Sequence, residues 1–411
     1  MRQTTRIITV AGTKGKTTCV RALQYAMNSV QKEPVLGVDT HRVMLGDNLL
    51  MPIEEYTSLF GIGTAVCPGK TLLALAGQKE PIAVLEASIS TSRRGLGYYS
   101  HEIGIFTNVY EDHIKPGTDI SNREELAAAK ASYIFRHIGK NGTAIYNADN
   151  DLIPTQLGVI PTDRNITRIA CTLEDPRKLS ANYVATIRDN HIVIMSSEGE
   201  ELVSVDLLSM PWLHQGKHQP SLYDGMFVIA ALWRLYATEP KKFQKALRIL
   251  NGYLPDQNGA RMVVRTAENG AKVIIDFAHE RESLKQIAEF ARKHLSADGK
   301  VIGVVRINNS RDDEHIKHSV EYFAPSYDKL FVYDMADEDG EYGRTLGEVP
   351  KIIAGVSQSC RIPAEVVLNH KDALTAAYDE STADTAIIYI IHSPYDALET
   401  ADSIFHFKRE D

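Results

Sequence analysis

Gly12, Thr13, Lys14, Gly15, Lys16, Thr17 and Thr18 follow directly on the apolar run Ile7-Ile8-Thr9-Val10. A buried strand that delivers the chain to a glycine corner, with a helix starting at once, makes an anion site. The N–H groups of the first helical turn and the positive end of the helix dipole converge on one spot. Gly12 and Gly15 allow close backbone approach. Lys16 can reach terminal phosphates, and the Thr17 hydroxyl can ligate Mg2+. The spacing is more compact than the usual phosphate-loop pattern, which wants a glycine where Val10 stands. Placement after an apolar strand is what lifts the segment above a merely solvated turn. Glu86 ends the run IAVLEAS, and Asn108, Asp112 and His113 lie just past IGIFTNV. Ligands gather at the carboxyl ends of strands in open α/β sheets. A carboxylate and an imidazole from neighbouring strand ends could therefore share one Mg2+. Taken singly, such a histidine is more often a structural hydrogen-bonder and such a glutamate a solvated one. Their order and common placement give them weight.

A parallel sheet is needed to bring these residues to one edge, and the hydrophobic pattern predicts one. IITVAG, PVLGVDT, IAVLEAS, IGIFTNV and GTAIYNAD read as strands, with CVRALQYAMNSV and EELAAAKASYIFRHI as helices among them. Between about 166 and 208 the texture changes to TRIACTL, YVATIRDN and HIVIMSSEGEELVSVDLL, which reads as short antiparallel strands. Two helices follow, and NGYLPDQNGA carries the turn residues of a boundary. Beyond it, VVRTA, KVIIDFA, KVIGVVRI, KLFVYDM and TAIIYIIH alternate with helices again. The expected fold class is α/β. A P-loop parallel-sheet ATPase domain with a small antiparallel β insertion occupies residues 1–255, and a Rossmann-like α/β domain residues 256–411.

With 411 residues, 44% hydrophobic and 24% charged, this is the composition of an ordinary globular protein of two domains. The net charge of -8 argues against nucleic acid or a membrane surface as partner. No apolar stretch is long enough to span a bilayer, and the first residues run straight into a core strand with no room for a signal peptide. Four scattered cysteines, Cys19, Cys67, Cys171 and Cys360, lack any C-x-x-C pair. They fit reduced thiols in a cytoplasm and exclude a zinc ribbon.

GTKGKTT, then E-x-S with Gly95, TNVYEDH, LAAAK and NADND, resembles in order the Mur ligase superfamily. That superfamily contains the peptidoglycan peptide ligases, folylpolyglutamate synthetase and the C-terminal half of cyanophycin synthetase. NGARM is similar to its P-G-R segment, IIDFAHERESL to its D-Y-A-H-N-P strand end, and ADEDGEYGRTLGEVPKII to the R-G-R-x-x-G-E segment of the cyanophycin synthetases, toward which the chain leans. The resemblance implies an ATP-dependent, ADP-forming amide ligase. A substrate carboxylate is phosphorylated, and the amino group of an amino acid then displaces phosphate. It implies that the Gly12–Thr18 turn, Asn108 and Arg261 contact the nucleotide phosphates. It further implies that Thr17 holds a first Mg2+, that Glu86 and His113 hold a second one bridging γ-phosphate and carboxylate, that Asp276 binds the ribose and that His279 stands close to the nucleotide. Lys130 matches the lysine that several Mur ligases carry as a carbamate; the alternative is an exposed helical lysine in EELAAAKASYIF. His218, Gln219 and Asp224 fall where the family has an adenine-side segment, with altered spacing.

The chain also departs from the pattern. SISTSRRGL replaces the A-R-G-G of cyanophycin synthetases, and Glu280-Arg281 replaces the usual Asn-Pro. Neither an ATP-grasp domain nor a UDP-binding domain precedes the turn. The expected partners are ATP, a small carboxylate or peptide acceptor and an amino acid, with a homo-oligomer allowed. An ATP-binding, carboxylate-activating subunit of an amidotransferase-type complex is the second reading, and a non-catalytic nucleotide-binding homologue the third.

Overall fold

Ile8 and Val10 pack with one set of helices, while Ile7 and Ala11 pack with the opposite side, so β1 (Arg6–Ala11) is buried on both faces. That is the pattern of a central strand in a doubly covered parallel sheet. The computed structural model describes residues 5–112, 114, 119–335, 341–394 and 396–408, in two units, Met1–Leu254 and Pro255–Asp411.

In the first unit β1 is followed by α1 (Lys16–Asn28), β2 (Leu36–Val38), β3 (Arg42–Leu45), β4 (Asn48–Pro52), α2 (Ile53–Phe60), β5 (Ile82–Glu86), α3 (Thr91–Arg94), β6 (His101–Phe106), α4 (Arg123–Ile134) and β7 (Ile138–Asn147). Then come β8 (Thr167–Cys171), β9 (Tyr183–Arg188), β10 (His191–Ser196), β11 (Glu201–Asp206), α5 (Gln219–Leu235) and α6 (Pro240–Leu250). All eleven strands form one sheet in the order β11-β10-β9-β8-β7-β6-β1-β5-β2-β3-β4. The apolar sides of α1, α5 and α6 share one core cluster, and α4 covers the other face. Register sets the site: Val10 lies level with Glu86, and Ala11 with Phe106. Gly12, Ala87 and Thr107 therefore leave the sheet side by side.

Two details depart from the expected layout. The strand TRIACTL is not antiparallel. β8 pairs parallel with both β7 and β9, and only β9–β11 form an antiparallel meander. The 172–182 connection is long enough to carry the chain back for a parallel pairing, so the inserted strands extend the main sheet. At the other edge, β3 and β4 form a hairpin about Gly46, whose φ is 60°.

The second unit contains β12 (Val263–Thr266), β13 (Lys272–Asp276), α7 (Arg281–Arg292), β14 (Lys300–Val305), α8 (Asp313–Phe323), β15 (Lys329–Val332), α9 (Glu348–Ser359), β16 (Ala364–Val366), α10 (His370–Asp379), β17 (Thr385–Ile390) and α11 (Ala397–Phe405). Its sheet order is β12-β13-β17-β14-β15-β16, parallel except for the edge strand β12. Helices α7–α9 pack on one face, α10 and α11 on the other.

Candidate active site

The phosphate turn is held in shape by the end of β6. Asn108 Oδ1 accepts from the N–H groups of Thr13 (3.1 Å) and Lys14 (2.8 Å), and its Nδ2 donates to the Lys14 carbonyl at 3.2 Å. The Thr107 hydroxyl donates to the same carbonyl at 2.5 Å, and the Tyr110 N–H to Thr13 Oγ1 at 3.1 Å. Gly12 is required by this closeness. Its φ is 146°, and a Cβ there would lie 1.9 Å from Thr107 Oγ1. Gly15, with φ 81°, caps α1 with no side-chain cap bond, which leaves the first turn's N–H groups directed at a ligand. Asn108 is thus placed as a clamp on the turn's backbone.

Glu86, 2% exposed, faces the turn from β5. Its Oε2 accepts from the Thr17 hydroxyl at 2.8 Å and its Oε1 from the Thr40 hydroxyl at 2.6 Å; Lys16 Nζ stands 3.8 Å from Oε1 and donates to the Thr13 carbonyl at 2.8 Å. Thr40 comes from the loop after β2, and it is set by its neighbour Asp39. The Asp39 carboxylate is buried against Arg21 of α1 (2.7 Å) and Arg42 (3.4 Å), and its carbonyl accepts from Thr64 at 2.5 Å. Burial works against this charge, but the two guanidiniums outweigh it and hold the carboxyl at about 2. The sequence pattern marked neither Thr40 nor the Arg21–Asp39–Arg42 group. Asp39 and Thr40 sit at a strand's carboxyl end beside Glu86, which is the one signal that could have found them.

Lys130 lies on α4 and is 3% exposed; its Nζ donates to the Gly12 carbonyl at 2.8 Å. Burial, then the field of Lys16, lowers its amine to about 7, against the opposing pull of Asp112 and Glu86. The exposed helical lysine that was the alternative reading is therefore corrected: this amine is buried beneath the turn. Asp112 is buried as well. His113 falls outside the described residues.

Of the three residues near the start of α5, Gln219 is exposed, and His218 is buried with Nδ1 2.7 Å from the Ser221 hydroxyl. Asp224 reaches the phosphate turn itself, with Oδ1 2.3 Å from where a Gly15 Cβ would be.

In the second unit Arg261, Asp276 and His279 meet at the end of β13. Asp276 Oδ2 accepts from the Met262 N–H at 2.8 Å, which fixes a loop whose Gly259, Ala260 and Met262 all have positive φ. Arg261 donates to the Asn258 and Gly259 carbonyls (3.2 and 3.1 Å) and stacks 5.2 Å over the Phe277 ring. His279 Nδ1–H donates to the Phe277 carbonyl at 3.1 Å.

The donor set around Glu86 suits a hard divalent cation: one buried carboxylate with two hydroxyls. Among the described residues no three His, Cys, Asp or Glu side chains converge on a metal-sized position. Mg2+ fits such a place because it is usually held by one or two carboxylates plus substrate phosphates and water. No helix of the described residues is long and apolar enough to cross a membrane.

Two family models match the chain: the Mur ligase middle domain over residues 10–209, and the glutamate ligase domain of the Mur ligases over residues 260–390. The chain is 24% identical over 394 residues to a cyanophycin synthetase of Nostoc sp. (strain PCC 7120 / SAG 25.82 / UTEX 2576), which covers 94% of this chain and 41% of that protein. It is 25% identical over 414 residues to the UDP-N-acetylmuramoyl-L-alanyl-D-glutamate--2,6-diaminopimelate ligase of Vibrio parahaemolyticus, covering 98% and 76%. The chain thus spans about two fifths of the length of the Nostoc protein. Among solved structures, E. coli FolC in complex with DHPP and ADP shares the fold with a TM-score of 0.67 at 18% identity, over 97% of this chain and 89% of that one. With both domains of one family matched in order and the fold shared, the chain belongs to the Mur ligase superfamily.

Proposed function

We propose that the protein is an ATP-dependent, ADP-forming ligase that joins a carboxylic acid to the amino group of an amino acid. The observation that carries this reading is the arrangement at the strand ends of the first unit. A glycine turn at a helix N-terminus, Lys16, Thr17 and the buried carboxylate of Glu86 lie within bonding reach of one another. The names of the relatives add support, since diaminopimelate is an amino acid and the Vibrio enzyme is a ligase.

In this reading the turn binds the polyphosphate through its N–H groups and Lys16 neutralises the transferring phosphate. A divalent cation held by Thr17, Glu86 and His113 would screen charge between phosphate and carboxylate. The acid's oxygen attacks the terminal phosphorus and ADP leaves. The amine nitrogen then attacks the acyl carbon, phosphate leaves with the bonding electrons, and the nitrogen loses a proton to solvent. Phosphorylation is needed because a bare carboxylate is a poor electrophile. For the second unit we propose that Arg261 contacts phosphate, and that Asp276 and His279 contact the nucleoside. Lys130 belongs to the same proposal. Its buried amine, held near neutral, holds the turn through the Gly12 carbonyl and is reactive enough toward CO2 to carry a carbamate. 13C NMR under labelled CO2 tests that. The site is assigned to the cytoplasm, where ATP is abundant.

A panel of acids crossed with a panel of amino acids, with ADP read by chromatography, tests the assignment. ADP formed only when both an acid and an amino acid are present, and lost in Lys16→Ala, is the expected result. AMP with pyrophosphate, or ADP formed with an acid and ammonia but with no amino acid, would contradict it. The latter would favour the activating subunit of an amidotransferase-type complex.

A further inference from the structure

We infer that Asp224 makes nucleotide binding proton-dependent: the phosphate turn accepts a polyphosphate only while this carboxyl is neutral. The inference rests on the reading of the turn as a nucleotide site and assigns Asp224 a role at it. Asp224 stands on the second turn of α5 and is laid against Gly15, the residue that caps α1. Its Oδ1 lies 2.3 Å, and its Oδ2 3.4 Å, from the position of a Gly15 Cβ, so that place is filled by the carboxyl. The side chain is 8% exposed. Among the described residues its one hydrogen bond comes from the Cys19 thiol at 3.6 Å, a weak donor. Among the described residues no lysine or arginine pairs with it; Lys16 is turned toward Glu86 and the Thr13 carbonyl.

A buried carboxylate with no cation beside it is costly. At the end of α1 it would also compete with phosphate for the same positive dipole and N–H groups. Burial raises this carboxyl to about 8, and the Cys19 bond opposes the rise. At neutral pH it therefore adds no charge to the turn. A bound di- or triphosphate brings several negative charges beside it, which favours the neutral form further. Above pH 8 each nucleotide must take up one proton at Asp224, and affinity falls about tenfold per pH unit.

The titratable groups around it are the Cys19 thiol of α1, raised well above its usual range, Lys14 and Lys16 of the turn, Glu86 of β5 and Cys171 of β8, whose fields reach Cys19, His218 just before α5 and Tyr223 on it. Lys130, near the turn, titrates in a neighbouring range, so the experiment must read Asp224 by difference.

Calorimetry of ADP with Mg2+ binding to the full chain, at pH 7, 8 and 9 and in two buffers of different ionisation enthalpy, measures affinity and proton uptake together. ADP phosphates are fully ionised over the upper part of this range. The wild type should take up about one proton more per ADP at pH 9 than Asp224→Asn does. Its affinity should fall about fivefold further between pH 8 and 9 than that of the variant. Equal proton uptake and parallel affinity profiles would overturn the inference. If Asp224→Asn does not fold, Asp224→Ser, smaller and equally neutral, makes the same comparison. A wild type that binds no ADP at any pH would refute the nucleotide reading itself, and this inference with it.

Discussion

Replacing Asn108 by alanine should weaken nucleotide binding by about 5- to 30-fold while leaving the fold intact. The amide makes three bonds to the phosphate turn, at 3.1, 2.8 and 3.2 Å. Two of these have substitutes. The Thr13 N–H also reaches the Asn108 carbonyl at 3.0 Å, and the Lys14 carbonyl also accepts from Thr107 at 2.5 Å. The heaviest loss is therefore at the Lys14 N–H. A buried donor deprived of its acceptor costs about 1–3 kcal/mol. Lys14 is only half-buried, so water can replace part of the bond and about 1–2 kcal/mol is the appropriate range. The turn must be re-ordered when the nucleotide binds, so that penalty falls on the dissociation constant, at about 1.4 kcal/mol per tenfold. Global stability should move by only a few degrees in Tm. Calorimetry with ADP and Mg2+, beside a thermal melt, measures both. A folded Asn108→Ala chain with unchanged ADP affinity would refute the idea that this side chain shapes the turn. A collapse of the melt would show instead that Asn108 supports the whole core.

Three further outcomes are expected. Lys130 is depressed from 10.5 to about 7, so between pH 7 and 10.5 the unfolded chain holds more protons than the native one, and stability rises with pH; the Tm of the wild type relative to Lys130→Met should climb from pH 7 to 10, and a constant difference would contradict the shift. Asp39, held at about 2 by Arg21 and Arg42 against the cost of burial, contributes stability above pH 4 that is lost as pH falls toward 2. Asp39→Asn should therefore cost about 3 kcal/mol at pH 7, as for other broken buried ion pairs, with the deficit shrinking below pH 4 in denaturant titrations; a deficit independent of pH would rule out the ion pair as its source. Thr40→Val removes the 2.6 Å bond to Glu86 and should lower Mn2+ affinity in the presence of ADP, read by electron paramagnetic resonance, by about threefold to tenfold, at the low end of outer-ligand effects because Thr40 is exposed; unchanged Mn2+ binding would separate Thr40 from the cation.

The parts of the fold that depend on local pattern were legible. β1, β5 and β6 are apolar runs with turn residues after them, and their ends carry the turn, Glu86 and Asn108. What the pattern could not give was partner and direction. TRIACTL reads as a half-buried strand whether its neighbours run parallel or not, and the length of the 172–182 connection decides. Thr40, and the reach of Asp224 to the phosphate turn, were hidden for a different reason. Thr40 is a polar residue after a three-residue strand, and Asp224 sits inside an apolar helix. Only the folded sheet brings one to Glu86 and the other to Gly15.

The proposed activation of a carboxylate by phosphorylation at the Gly12–Thr18 turn can be followed with an isotope. Once the panel has supplied a reacting acid, that acid is prepared with 18O in its carboxylate and turned over with ATP and the amino acid, and the released phosphate is analysed by mass spectrometry. Acyl-phosphate formation transfers one 18O atom into each phosphate, with ADP as the nucleotide product. Unlabelled phosphate, or label recovered in AMP, would contradict it.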